Sequence, residues 1–328
     1  MRQIKKAIIA IDFPAPELDE MVRLMDAEEI VRCASTETEV IEEALKTAEI
    51  AILGRPVKHC EQLIGPDMRW LHCDAAGLDF LYTPGLAKRE DVVVTCSSGR
   101  SSKALSEHVL MFMLALNYRV NEIREARKTC TWSMPFLQSA KALVGQTIGI
   151  LGVGSIAREL APRCKALEMR TIGYAKTSKR VEGIDELYYN EEGLLEVIRQ
   201  SDFLVSALPL TDETYHLLNE DRLSQMKPSA YLINISRGAV IDENAMIDCL
   251  KRGVIAGAGL DTFEQEPLGT DSLLWNMDNV IMTPHVTPPQ PDKHAVSLNV
   301  ILNNITAYRE ERELGNQYKP YYSFSGKK

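Results

Sequence analysis

Nowhere in its 328 residues does the chain hold an apolar run long enough to span a membrane; the strongly apolar Met111–Leu116 reads as part of one buried helix. A basic surplus is also missing. Lys and Arg number 37 against 46 Asp and Glu, for a net charge of −9. Neither nucleic acid nor an anionic membrane surface is therefore an expected partner, because both are bound through cations that displace counterions. No C-x-x-C occurs. The seven cysteines, Cys33, Cys60, Cys73, Cys96, Cys130, Cys164 and Cys249, are odd in number and scattered. That argues against a disulfide framework or a structural zinc, and for reduced thiols in a cytoplasmic protein, mostly as core filling. The opening Met-Arg-Gln-Ile-Lys-Lys-Ala-Ile-Ile-Ala-Ile-Asp has cations but a very short apolar run, and is expected as a first strand rather than a signal peptide. There is no sequence repeat or low-complexity segment, and no metal is expected.

What is there is an ordinary globular composition, 45% apolar and 25% charged, in a length that suits two domains. Its most informative stretch is Gly152-Val-Gly154-Ser-Ile-Ala157. Before it, Gln146-Thr-Ile-Gly-Ile-Leu151 has the apolar, β-branched character of a buried parallel strand. After it, Ala157–Leu167 has helical spacing, and a second strand is expected over Met169–Ala175. Strand, glycine turn, helix and strand in about thirty residues is the setting a dinucleotide fingerprint requires. Gly152 permits the tight turn, Gly154 lets the backbone approach the phosphates, and Ala157 is small enough for helix–strand packing. The helix start then offers unpaired N–H groups to the pyrophosphate.

Around this motif the chain alternates strands and helices, an α/β pattern. Strands are expected at Lys6–Ile11, Ile50–Leu53, Trp70–Cys73 and Val92–Thr95, and helices at Glu17–Met25, Val40–Thr47 and His59–Leu63. The polar Ser97–Ser102 reads as a flexible crossing point, and Lys103–Arg119, apolar almost all round, as a helix buried between layers. Further strands are expected at Phe203–Ala207, Tyr231–Asn234, Ala256–Leu260 and Val280–Met282. Helices are expected at Thr214–Leu218 or shortly after, at Glu243–Arg252, and from Pro288 to about Glu313. Together these predict a doubly wound Rossmann sheet.

Two further features concern chemistry. An enzyme that binds NAD usually places Asp or Glu at the end of the second strand for the ribose hydroxyls. Here Ala175, Lys176, Thr177, Ser178, Lys179 and Arg180 occupy that place, with no acid, three cations and two hydroxyls, so NADP is expected, with NAD possible. Three pieces then each follow an expected strand: Ser236-Arg237-Gly238, Leu260-Asp261 through Glu266-Pro267, and Thr283-Pro284-His285. Strand carboxyl ends line the crevice of an open α/β sheet. An arginine there suits a substrate carboxylate through its planar fork, and a histidine with a carboxylate behind it suits proton exchange.

With these motifs the chain resembles the D-isomer-specific 2-hydroxyacid dehydrogenase family. Leu208-Pro209-Leu210-Thr211, Asn234 through Ala239, Ala76-Gly77-Leu78-Asp79 and Ser106-Glu107-His108 add to the match. The resemblance implies two Rossmann-like, doubly wound parallel-sheet domains. Residues 101–289 would form a dinucleotide-binding domain inserted into a substrate domain made of 1–100 and 290–328, with the active site in the cleft between. It implies reduction of a small 2-oxo acid to the D-2-hydroxy acid, and the reverse. Arg237 would orient the substrate, Glu266 support the histidine, and His285 act as acid/base. The backbone at Ala76 and Gly77 would hold the substrate carboxylate together with Arg237, and His285 would contact the substrate at its 2-oxo oxygen. Cofactor contacts are implied at Gly152, Gly154, Ser155, Ile156, Ala175, Lys176, Thr177, Ser178, Lys179, Ala207, Leu208, Pro209, Ile235, Ser236, Asp261 and His285. A homodimer is implied, with the helix near Lys103–Arg119 and the loop through Trp132 at its seam, and a substrate pocket near Leu53-Gly54-Arg55 and Trp132.

Three departures stand out: the missing ribose acid, Val286-Thr287-Pro288-Pro289 where small residues are usual, and Cys96-Ser-Ser-Gly where Asn is frequent. A formate dehydrogenase would have Gln in place of Glu266. A nucleotide-sensing scaffold without significant turnover is the alternative from another class.

Overall fold

Runs of Ile, Val, Leu and Ala become strands wherever they can be covered on both faces, and the helices between them supply the covers. The computed structural model describes residues 1–55, 57, 60–78, 86, 88–176, 181–286 and 290–318. The chain divides into two compact units, one of residues 1–101 with 290–328 and one of residues 102–289.

The first unit opens with β1 (Ile4–Ala10), α1 (Ala15–Met25), β2 (Ala27–Cys33), α2 (Thr38–Leu45), β3 (Ile50–Leu53), α3 (Cys60–Leu63), β4 (Trp70–Cys73) and β5 (Val93–Cys96). The second contains α4 (Ser102–Asn117), α5 (Val120–Lys128), β6 (Thr147–Leu151), α6 (Ser155–Ala166), β7 (Arg170–Tyr174), β8 (Glu186–Tyr188) and α7 (Asn190–Gln200). It continues through β9 (Phe203–Ser206), α8 (Glu220–Leu223), β10 (Tyr231–Asn234), α9 (Glu243–Lys251), β11 (Gly257–Leu260) and β12 (Val280–Met282). The chain then returns to the first unit with α10 (Lys293–Arg309) and β13 (Gln317–Tyr318).

The first sheet runs β13-β5-β4-β3-β1-β2 and is parallel except for β13, which pairs antiparallel with β5. Every residue of β3 and β4 is buried, whereas β2 at the edge is half-exposed. The returning α10 closes one side of this sheet, packing Ile301, Ile305 and Tyr308 with Met21, Met25 and Trp70.

The second sheet runs β12-β11-β10-β9-β6-β7-β8 and is parallel throughout. Its order reverses between β6 and β9, the topological switch point at which doubly wound sheets bind nucleotides beyond their strand carboxyl ends. β6, β9 and β11 are buried at every position. Each fully buried Leu, Ile, Val or Phe here contributes roughly 1.5–3 kcal/mol by leaving water.

Several expectations need correction. The helix expected at Thr214–Leu218 or shortly after takes the later place: Thr214 Oγ1 donates to Pro209 O (2.6 Å) and accepts from Thr211 N (2.8 Å), closing a turn, and the helix begins at Glu220 behind an Asn219 cap. Hydroxyls bonding to nearby backbone compete with the helix here. Helix α4 is not buried all round; Val109, Phe112 and Met113 are inside, but Met111 and Leu114 are 39% and 44% exposed. The boundary between the two units does fall within Ser97–Ser102, but Ser97, Ser101 and Ser102 are buried and α4 starts at Ser102. No helix among the described residues is long and apolar enough to cross a membrane.

Candidate active site

Parallel pairing brings the carboxyl ends of β6, β9, β10, β11 and β12 to one edge of the second sheet. At the end of β6, Gly152 adopts a φ of +96°, and a Cβ there would lie 2.7 Å from the carbonyl oxygen of Ala207, just past β9. Only glycine satisfies both demands. Gly154 is exposed, and among the described residues nothing lies within 4 Å of where a Cβ would stand and no side chain caps the start of α6.

After β10, the Asn234 side chain accepts from Ser236 N (3.1 Å) and Oγ (2.9 Å) and donates to Arg237 O (3.0 Å). The Arg237 guanidinium donates to Ser236 O at 2.8 Å. A Cβ on the neighbouring Gly238 would fall 1.9 Å from the carbonyl carbon of Phe263, so this turn lies backbone to backbone against the loop that follows β11. That loop carries Glu266, whose Oε1 accepts from Phe263 N at 3.0 Å. It is clamped from outside by Glu243 and His216: Glu264 donates its N–H to Glu243 Oε2 (3.1 Å), and its Oε1 is bonded by the His216 ring. Burial raises the Glu243 carboxyl above its ordinary range.

The other oxygen of Glu266 meets His285 Nδ1 at 2.7 Å. An ionised carboxylate only accepts, so Nδ1 carries the proton of that bond and Nε2 is the nitrogen left for chemistry. His285 sits past β12 in a left-handed conformation, φ +48°. Its N–H donates to Thr283 O (3.0 Å), while Val286 N donates to Asp261 Oδ1 (2.9 Å).

A sequence model described as "D-isomer specific 2-hydroxyacid dehydrogenase, NAD binding domain" matches residues 110–287, more than half of the chain. The chain belongs to the D-isomer-specific 2-hydroxyacid dehydrogenase family. It is 36% identical over 230 residues to the glyoxylate reductase of Pyrococcus furiosus, covering 68% of each protein. With the glyoxylate reductase of Korarchaeum cryptofilum it shares 32% identity over 276 residues, 82% of each. Among solved structures, an NADPH-dependent glyoxylate/hydroxypyruvate reductase from Sinorhizobium meliloti, in complex with NADP and sulfate, superposes with a TM-score of 0.78 at 25% identity, over 97% of this chain and 99% of that one.

The nicotinamide dinucleotide of this dehydrogenase family fits the second unit. The open space at Gly154 and the uncapped start of α6, with the backbone of exposed Ser155 and half-buried Ile156, form a cradle for a pyrophosphate. Ala157, fully buried, lets α6 close on the sheet. Ala207-Leu208-Pro209, Ile235-Ser236 and Asp261 follow β9, β10 and β11 on the same edge. Ala175 directly follows β7, and the Lys176 ammonium beside it is paired with the Glu213 carboxylate. Thr177, Ser178, Lys179 and Arg180 lie outside the described residues, as do Asp79 and Thr287–Pro289.

Ala76 and Gly77 lie in the first unit, on the loop after β4, where neither backbone N–H has a partner among the described residues. Beside them Arg100 is paired with Asp74 at 2.5 Å, and burial lowers the His72 imidazole to about 4. Trp132 is 96% exposed and fills no pocket within this chain. Two residues to which the sequence pattern gives no role join the site from behind: the Thr283 hydroxyl lies 2.6 Å from Asp261 Oδ1 and 3.0 Å from His108 Nε2. The signal available was the reappearance of His108 and Thr283 inside motifs already matched to the family.

Proposed function

We propose that the enzyme reduces a small 2-oxo acid to the D-2-hydroxy acid, with NADPH preferred to NADH. One observation carries the reading: the His285–Glu266 pair stands on the same sheet edge as the glycine turn. When bound, the dinucleotide supplies a hydride to the carbonyl carbon. His285 delivers a proton from Nε2 to the carbonyl oxygen, and Glu266 holds the ring at Nδ1 so that Nε2 keeps its direction. Arg237 forks the substrate carboxylate and polarises the carbonyl, and the N–H groups of Ala76 and Gly77 receive the same carboxylate. In the oxidative direction His285 takes the hydroxyl proton back.

The NADP preference is supported by Ala175 standing where an acid would repel a ribose phosphate, by the Lys176 cation, and by the NADP complex of the Sinorhizobium meliloti relative. Glyoxylate is the first substrate to test, given the names of the relatives. We also assign a homodimer through the outer face of α4, where Met111 and Leu114 are exposed and Tyr118 follows just past its end, and a cytoplasmic setting, in keeping with seven free cysteines.

The test follows NADPH absorbance with glyoxylate, hydroxypyruvate, pyruvate and branched 2-oxo acids. His285→Ala is expected to lower turnover about 10²–10⁴-fold, the usual worth of a positioned acid, with NADPH still bound in fluorescence titration. Arg237→Lys is expected to raise KM, since an ammonium makes no fork. Near-full activity in His285→Ala overturns the assignment. Tight NADPH binding without turnover on any 2-oxo acid favours a nucleotide-sensing scaffold.

A further inference from the structure

We propose that His108 and Thr283 are positioning residues for His285, acting through the Asp261 carboxylate; this rests on His285 being the acid/base. The left-handed backbone of His285 is disfavoured for any residue with a Cβ, which crowds the following carbonyl oxygen. Something outside the turn must hold it. The bond from Val286 N to Asp261 Oδ1 (2.9 Å) does so directly, fixing the residue after the histidine to the end of β11. Asp261 is 1% exposed, so its orientation depends on the groups that bond it.

The same oxygen, Oδ1, is also reached by the Thr283 hydroxyl at 2.6 Å, and that hydroxyl by His108 Nε2 at 3.0 Å. Proton counting gives this chain one direction. An ionised carboxylate cannot donate, so the single Thr283 proton goes to Asp261, and His108 Nε2 must donate to Thr283. The neutral Nε2–H tautomer follows. It leaves Nδ1 as a bare lone pair, and Nδ1 is buried with no partner among the described residues. A second proton there would be a buried donor without an acceptor, and burial lowers the His108 imidazole despite the nearby Asp261 charge.

His108 is itself fixed. It is 5% exposed on α4, and its ring stacks on Phe112 at 4.8 Å and 19°. Phe112 in turn lies over Gly259 of β11, where a Cβ would come within 2.7 Å of the ring. Three elements, α4, β11 and the end of β12, are thereby tied to one carboxylate oxygen, and the catalytic turn hangs from it.

The experiment compares Thr283→Val with Thr283→Ser, with His285→Ala as reference. Valine keeps the shape but removes the hydroxyl, leaving the His108 N–H without an acceptor and Asp261 Oδ1 with one donor fewer. Thr283→Val is expected to lose about tenfold in kcat, the usual consequence of one orphaned buried donor, with KM for the 2-oxo acid and NADPH affinity by fluorescence within about twofold of wild type. Hydrogen–deuterium exchange at the Val286 amide is expected to quicken by about tenfold or more, and serine to restore both readouts. Wild-type kcat and exchange in Thr283→Val, beside a crippled His285→Ala, overturn the proposal. An active His285→Ala overturns the acid/base reading instead, and the exchange measurement then still decides whether the chain holds the turn. Should Thr283→Val fail to fold, His108→Phe keeps the stacked ring and deletes the donor. It is expected to lose about threefold in kcat with quicker Val286 exchange, and unchanged values overturn the proposal equally.

Discussion

His72 is fully buried in the first unit, its Nδ1 2.9 Å from the Thr95 hydroxyl and its Nε2 3.3 Å from that of Ser97. Burial lowers it from 6.5 to about 4. In the unfolded chain the same ring titrates near 6.5, so between these values the unfolded state binds more protons and stability rises with pH. The contribution is complete above about pH 6.5, and is lost as pH falls towards 4. Thermal melts from pH 7 to 4.5 are expected to show wild type losing more stability than His72→Gln; parallel losses refute the assignment. His285, by contrast, reaches the surface of its unit and bonds a carboxylate. The sequence makes His285 legible through the Thr-Pro-His motif after a strand. It does not distinguish His72, because nothing in Trp-Leu-His-Cys tells that the ring faces two hydroxyls contributed by β5 and the turn after it.

At the scale of elements, strands buried on both faces are the legible ones. Ile50–Leu53, Trp70–Cys73 and Tyr231–Asn234 are found at their expected bounds; so is Val280–Met282, an edge strand that carries no charged residue to dilute its apolar run. β2 and β8 are edge strands carrying Glu28, Glu29 and Arg32, or Glu186, so their apolar signal is diluted by residues that face water. α7 and α5 are missed for a related reason: each has a high share of charge, and α5 buries no residue completely. The contact between the Arg237 turn and the Glu266 loop is likewise invisible in sequence, although Gly238 is its mark. Gly238→Ala would place a methyl within 2 Å of the Phe263 carbonyl oxygen, and the two segments must separate. The expected outcome is a loss of kcat of at least about tenfold together with a lower melting temperature, as for other overpacked sites, which cost about 1–3 kcal/mol. An active, wild-type-like Gly238→Ala would show that the two turns move independently.

For the molecule as a whole, the match over residues 110–287 and the seven-stranded parallel sheet assign dinucleotide binding to the second unit. A ligand that binds only the folded form at about a hundred times its dissociation constant adds about 2.7 kcal/mol to stability. In scanning calorimetry, NADPH is expected to raise the transition of the second unit, and NADH at equal concentration to raise it less. Equal shifts would remove the argument from Ala175 and Lys176.

The polypeptide leaves the first unit after residue 101 and re-enters it at 290, where α10 and β13 finish the sheet and core begun by β1–β5. The second unit is thus one uninterrupted cassette, which a genetic excision can lift out whole. Its host has no such freedom: a ribosome has already synthesised the entire guest before the host's last helix emerges. Any truncation that spares the guest but trims that helix leaves the host with an uncovered flank.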